Sequence, residues 1–557
     1  MEKRLILKNG KIFTSNKEQP WADTVVINDG IFEYVGTAAD MELAAENVDR
    51  VIDLQGKTLI PGLIDAHTHI GLSVMMGEDD DSIPMWSCSS KQEILDTLKA
   101  YVKKHPFRLY YAAFFGQVEA MGTEGLRKEE IDKIVKYRPV ILLDKECHSA
   151  WLNSTALRLL KINESTPDMA PGYSFYERDE NGKLTGCIKE MTMLPILGMT
   201  GNVSDKKMEA GIMKIINYLV DHAVTAIYDA GNYLNEEKTY KLLSKMDKEG
   251  KLPIKYEATY IITSPDKVPR AIETFKRYRS LYETEHIKFK TLKIMFDGTH
   301  RIHTAKLTEP YNNKAVTGGT MIPEDELYRL MYQLNEEKID FHAHTVGEGA
   351  SKMILDCAER IIREKGKLDI MITTAHLESQ RDEDISRFAK LDVVANFTPH
   401  WHGGNDYGTM EETEELLGKK RAHNLMRANS MIKSGAIVTF SSDEVTLQLL
   451  DRWNPFLGIE IGHTRQEVTA GGEKAPVFPP KEECLAVEDL IEGYTINAAY
   501  ALRLDDKLGS IEKGKEAAFA VLNKDIFTID PYEIHTIEPE VVMIEGKVVK
   551  GTLAIRR

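Results

Sequence analysis

KTLIPGLIDAHTH, residues 57–69, decides the architecture. Its apolar, β-branched run is short enough for one buried strand, and it stops at a pair of imidazoles. Residues two apart on a strand point the same way, so His67 and His69 can both reach one metal ion from the strand end. His-x-His alone is a weak signal, and its position after LIPGLIDA gives it weight.

Working outward, seven further segments share this texture, and several also stop at a polar or charged residue. They are AVTAIYDAG (223–231), PIKYEATYII (253–262), FKTLKIMFDG (289–298), KIDFHAHTVGE (338–348), MITTAHLES (371–379), LDVVANFT (391–398) and GAIVTFSSD (435–443). Between most of them lie segments such as ELYRLMYQLNEE, GEGASKMILDCAERIIREKG and EDISRFAK, whose apolar positions recur three and four apart as in amphipathic helices. Eight alternating strand and helix units predict an α/β fold of the (β/α)8 TIM-barrel type, where chemistry collects at the C-terminal strand ends.

The first two strands are separated by about 150 residues, roughly 70–222, far more than a βα unit needs. This segment carries its own strands, LYYAAFFG and RPVILLDK, and reads as an insertion over the barrel mouth, either a lid that shapes the substrate site or inert decoration. The two chain ends are rich in hairpin signals, with Asn9-Gly10 and Asp29-Gly30 near the start and Gly546 near the finish. They predict one small β-domain assembled from both ends, with two separate caps as the alternative.

Candidates for chemistry fall at the strand ends. Lys293 lies inside an apolar strand, where a lone ammonium is costly. It either pairs with an acid such as Asp297 or reacts with carbon dioxide to a carbamate, an anionic ligand able to bridge two metals. His342 and His344 repeat the His-x-His spacing, and only one need be a ligand. His376 closes the sixth segment. Asp443 closes the eighth and could also take a proton from water and return it to a leaving group. A second set could contact substrate: His148, Trp151 and Asn153 in CHSAWLNS, or else that stretch forms a structural turn. Glu190 in TGCIKE reaches the metals, orients substrate, or is an exposed helix charge. Asp297, His300 and Arg301 follow the fourth strand, while His400, Trp401 and His402 follow the seventh and are expected at the pocket mouth.

Lys+Arg 71 against Asp+Glu 87 leaves a net charge of -16, which disfavours nucleic-acid and anionic-membrane partners. The 5 cysteines form no CxxC pair, so neither a disulfide scaffold nor a thiolate zinc site is expected. The N-terminus does not read as a signal peptide, and no apolar run nears the roughly 18 residues a membrane span needs. A cytoplasmic enzyme with a small-molecule substrate is the expectation.

Taken in order, LIPGLIDAHTH, RPVILLDKECHSAWLNS, ENGKLTGCIKE, LKIMFDG, HTVGEGA, TFSSD and the tail YTINAAYALRLDDKLGSIEKGKEAAFAVLNKD resemble the amidohydrolase superfamily, in its family 3 or YtcJ-like branch, over nearly the whole chain. The resemblance implies a TIM barrel with a β-sandwich built from both termini. The boundaries expected are 1–58 for the N-terminal part of the sandwich, 59–475 for the barrel with its insertion, and 476–557 for closing helices and the C-terminal part. It also implies His67, His69, His344, His376 and Asp443 as metal ligands and Lys293 as a carboxylated bridge. His344 is preferred over His342 because HTVGE fits the family pattern. Asp443 becomes proton shuttle; in the mechanism this suggests, His148 or a residue near His400 donates a hydrogen bond to the substrate carbonyl. The metal expected is divalent, Zn2+ by default, one or two per chain, and a homodimer is plausible on the same ground. The activity implied is hydrolysis of a C–N bond in a small N-formyl or N-acyl amine. Deamination, ester or lactone hydrolysis, and non-enzymatic binding stand as alternatives. Three departures are present: Ala517-Ala518-Phe519 where the family has Ala-Asp-Phe, Glu348 where Asp is common, and the WHGG stretch at 401–404, which is individual to this chain.

Overall fold

The computed structural model describes residues 4–39, 49–75, 83–116, 118–121, 125–144, 147–196, 203–404 and 408–553, so Lys145 and Glu146 of the RPVILLDKECHSAWLNS motif lie outside the described residues. All eight predicted segments carry strand. Leu63–Thr68 pairs in parallel with Val224–Asp229, which pairs with Lys255–Ala258, which pairs with Ile287–Phe289. The third and fourth strands then resume as Ile261–Ile262 and Thr291–Ile294, and parallel pairing continues through Asp340–Thr345, Ile372–His376 and Val393–Phe397 to Val438–Phe440. The break between the two ladders is bridged, because the Thr259 hydroxyl donates to the Thr291 carbonyl at 2.6 Å. Beyond the last strand, Asp443 N donates to the His67 carbonyl at 3.1 Å, and Ser442 N donates to the Asp65 carboxylate. The result is a mixed α/β fold with parallel sheets of the TIM-barrel type.

Helices form where apolar spacing and end signals agree. Helix Glu324–Glu337 buries Leu327, Leu330, Met331 and Leu334, the i, i+3, i+4, i+7 stripe, and its first turn holds Glu324, Asp325 and Glu326 where the helix dipole favours acids. Helix Glu348–Lys365 ends at Gly366, whose φ of +84° suits a glycine C-cap. Both helices pack against the strand Asp340–Thr345, and the parallel pairing sets the C-terminal ends of the strands on one side. Among the described residues, no helix is long and apolar enough to cross a membrane.

The insertion forms a five-stranded sheet in the order Tyr176–Arg178, Leu184–Lys189, Ser149–Leu152, Val140–Asp144, Tyr111–Phe115. Its two faces divide by the period-two rule. Val140, Leu142, Trp151 and Cys187 join a separate cluster with Ile94, Leu98 and Ile131, whereas Ile141, Leu143, Ala150 and Ile188 belong to the main core of the molecule. One face of the insertion is thus sealed to the core, which fixes its loops relative to the strand ends.

At the termini, Thr58–Pro61 lies between Lys11–Phe13 from the N-terminal end and Phe519–Leu522 from the C-terminal end, in one six-stranded sheet. A four-stranded sheet of N-terminal strands packs on it through Leu5, Leu7, Val25 and Phe32 against Phe519, Val521 and Met543.

Candidate metal centre and catalytic cavity

The strand ends bring together residues separated by hundreds of positions in sequence. Asp443 sits among three imidazoles: its Oδ1 is 3.4 Å from His67 Nε2 and 3.5 Å from His69 Nε2, and its Oδ2 is 3.4 Å from His376 Nδ1. Lys293 Nζ lies 3.2 Å from His67 Nε2, and the His344 ring lies 4.4 Å from that of His376. His67, His376 and Asp443 each offer one ligand atom, all within 4.8 Å of one another, and form a candidate metal site. Tetrahedral bonds of about 2.0–2.2 Å place ligand atoms roughly 3.3–3.6 Å apart, a range that the three Asp443–imidazole distances meet. Both ring nitrogens of buried His376 lack a hydrogen-bond partner, a costly state that coordination of a metal would relieve. His376 and Asp443 hold φ values of +80° and +48°, a backbone state uncommon for non-glycine residues and often kept at functional sites.

Neighbouring groups fix the tautomers. The Gly231 carbonyl can only accept, so His69 donates from Nδ1 at 2.7 Å and keeps its Nε2 lone pair for a cation. His344 is held through its other face, with Nδ1 3.2 Å from Asp297 Oδ1. Asp297 also accepts from the backbone N–H of Val346, Gly347 and Lys306, so it anchors His344 and the loop beyond it. His342 stands behind His67, with Nε2 3.0 Å from His67 Nδ1 and its ring stacked on Tyr228. Asp65 accepts from the backbone N–H of both His67 and Ser442, which ties the first strand end to the eighth. His342 and Asp65 therefore support the cluster of imidazoles and Asp443 from behind. The sequence offered a cue to Asp65 only in its position two residues before His67.

Burial sets the protonation states. His67, His342, His344 and His376 are pushed well below the ordinary imidazole range, and His69 to about 3, by loss of solvent first and by neighbouring positive groups second. The lowered values keep all five rings neutral at neutral pH, the form in which an imidazole can hold a metal. Burial pulls the Lys293 ammonium down to about 7, opposed by the Asp443 carboxylate, and lifts Asp443 to about 7, opposed chiefly by Lys293. As pH falls through about 7, Asp443 takes up a proton and Lys293 becomes an ammonium; both changes oppose a cation. Zn2+ affinity of metal-stripped protein, measured by competition with a chromophoric chelator, is expected to climb steeply between about pH 6 and 8 and flatten above. A flat response across that range would mean that neither group controls uptake.

The cluster opens into a cavity of about 380 Å3 lined by His69, His148, Tyr233, His300, Arg301, His344, His376, Trp401 and Asp443, among others. His400 lines it too, donating from Nε2 to the Asn454 carbonyl at 3.1 Å, and Trp401 stacks on His376. His402 does not line it, being fully buried beside Phe397. Two other sequence candidates stay in the insertion. Trp151 packs in its separate core, and Asn153 caps helix Ser154–Leu159 while its amide donates to the carbonyls of Val135 and Arg138. Period-two alternation turns both away from the cavity. Glu190 is no exposed charge: it is fully buried and its carboxylate holds His148 Nδ1 at 2.6 Å. Trp86, Glu378, Glu444 and Arg452 also reach the cavity wall, though no local motif distinguished them in the sequence.

Parallel strands whose ends converge on imidazoles and a carboxylate, beside a cavity, are the site of a metal-dependent hydrolase. The family model described as amidohydrolase family matches residues 50–550, and this chain belongs to that family. It is 25% identical to the Bacillus subtilis protein YtcJ over 551 residues, spanning 98% of this chain and 99% of that one. It is 24% identical to the N-substituted formamide deformylase of Arthrobacter pascens over 572 residues, 99% and 98% of the two chains. A crystal structure of an uncharacterized metal-dependent hydrolase from Pyrococcus horikoshii superposes with a TM-score of 0.67 at 21% identity, covering 95% of this chain and 99% of the other; at that identity the likeness speaks for the fold.

Proposed function

We propose that the chain hydrolyses the C–N bond of a small N-formyl or N-acyl amine. The observation that carries this reading is the placement of the Asp443 carboxylate among His67, His69 and His376 on the wall of the cavity. The name of the Arthrobacter relative supports the choice of bond.

His67, His69, His344, His376 and Asp443 would hold the divalent metal, Zn2+ by default, with Lys293 as carbamate for a second ion. A bound divalent cation supplies Lewis acidity, which lowers the pKa of water and polarises a carbonyl. Asp443 takes the proton from the attacking water and returns it to the departing nitrogen. His148 reaches in from the insertion to hydrogen-bond the carbonyl oxygen. His300 and Arg301 meet polar atoms of the substrate, while Trp401 and Tyr233 cover its apolar part. An uncharged Lys293 amine can attack carbon dioxide, forming an N–C bond and releasing a proton, which yields the carbamate.

The same reading closes the eight strands into one barrel and divides the chain at 1–58, 59–475 with the insertion at about 70–222, and 476–557, the outer parts forming a β-sandwich. It takes the protein as cytoplasmic and homodimeric, acting on a small molecule rather than a nucleic acid or membrane. Deamination and lactone hydrolysis use the same groups and form the other arms of the test. Metal-reconstituted protein is assayed against N-formyl and N-acyl amines, aminopurines, and lactones. Release of a free amine with a carboxylate, abolished by chelator, is the expected result. Ammonia from an aminopurine, or acid from a lactone, with amides untouched would replace the amide reading, and metal binding with no turnover on any class would favour a binding protein.

A further inference from the structure

The insertion contributes more than a cover. Its antiparallel strands Ser149–Leu152 and Leu184–Lys189 pair Ser149 with Lys189, so the next residues outward, His148 and Glu190, are cross-strand neighbours. Glu190 N donates to the His148 carbonyl at 2.7 Å, and His148 N donates to Asp144 Oδ1 at 3.0 Å, which fixes the backbone of the histidine. The side chains then meet, with His148 Nδ1 2.6 Å from Glu190 Oε2. The other oxygen, Oε1, accepts from the Thr304 hydroxyl at 2.5 Å, and Thr304 belongs to the loop after the fourth barrel strand. Glu190 is fully buried and adopts φ +55°, so the chain departs from extended geometry where it delivers this carboxylate. Gly298 makes room for the junction: a Cβ there would collide with both Thr304 Oγ1 and Glu190 Oε1.

We propose that Glu190 is the positioning residue for His148, holding Nδ1–H on its carboxylate so that Nε2 is the atom that serves the substrate, and that Thr304 locks this insertion-borne pair to the barrel. Without that bond the imidazole loses the acceptor that sets its tautomer, and with it the orientation of the ring on the cavity wall. The pair lies apart from the metal cluster in connectivity: both oxygens of Glu190 are engaged by His148 and Thr304. The site is therefore completed only when the insertion is docked on the fourth barrel loop. This inference rests on the hydrolase reading for its kinetic test, and a histidine spectrum that needs no substrate keeps the two separable.

In Glu190→Gln, kcat is expected to fall about 100-fold, the scale of a misplaced acid–base or hydrogen-bonding group, with KM and metal content unchanged. Glu190→Gln in a His148→Gln background should cost nothing further. Gly298→Ala, which changes neither His148 nor Glu190, should reproduce the loss by displacing the carboxylate. In histidine-15N spectra of the full-length metal-loaded protein, the His148 signal, assigned with His148→Gln, should show protonated Nδ1 in the wild type and a changed ring state in both Glu190→Gln and Gly298→Ala. Three results overturn the proposal: loss of metal in Glu190→Gln, which would make Glu190 a ligand; additive losses in the double variant; or an unchanged His148 spectrum. If no substrate is found, the spectrum alone decides.

Discussion

Turnover by Asp443→Asn is expected to fall about 10³–10⁴-fold, the upper range for loss of a proton-transfer group. The reason is specific to this carboxylate. It lies within 3.5 Å of three imidazoles, and burial lifts it to about 7, close to the pH at which a group can both take and give a proton. An asparagine keeps the shape but has no basic oxygen and no negative charge. Metal content measured beside kcat separates the two duties. Metal retained at saturating Zn2+ with hydrolysis lost identifies the proton shuttle, whereas activity restored in full by added metal would reduce Asp443 to a ligand. Turnover within tenfold of wild type would remove it from both roles.

Metal content is expected to change most in Lys293→Ala. Protein purified without chelator should carry about two equivalents per chain, and the variant about one or fewer, because the bridge between paired ions is lost. The expectation rests on Lys293 being fully buried, 3.2 Å from His67 Nε2, and pulled down to about 7 so that its amine is available to carbon dioxide. Reloading stripped wild-type protein with and without bicarbonate gives an independent reading, since only carbamate formation makes the second equivalent depend on it. About one equivalent in both proteins, indifferent to bicarbonate, would define a mononuclear site.

The strand ends were legible because a buried parallel strand must be apolar along its length and can turn polar only where it emerges. His67, His69, His344, His376 and Asp443 each stand at such an end, and the cavity and cluster gather them there. The insertion was harder to read. CHSAWLNS offered His148, Trp151 and Asn153 as equals, yet strand alternation and register send His148 to the cavity, Trp151 to the separate core and Asn153 to a helix cap. Glu190 had three readings, and the pairing of its strand with that of His148 gave it a fourth.

By itself the sequence determined the order of strands and helices and the chemical types at the strand ends, since hydrophobic periodicity is a local property that each segment carries alone. Between His342 and His344 the sequence could choose only by family resemblance, and the tertiary structure supplied the physical reason, with His344 on the cavity wall and His342 behind His67. It alone showed that Asp297 anchors His344, that Asp65 joins the first strand end to the eighth, and that Thr304 meets Glu190 across 114 positions of chain. Those are contacts between side chains whose separation in sequence carries no signal. They are set by register, by the side to which a strand turns each residue, and by the need of every buried polar atom for a partner.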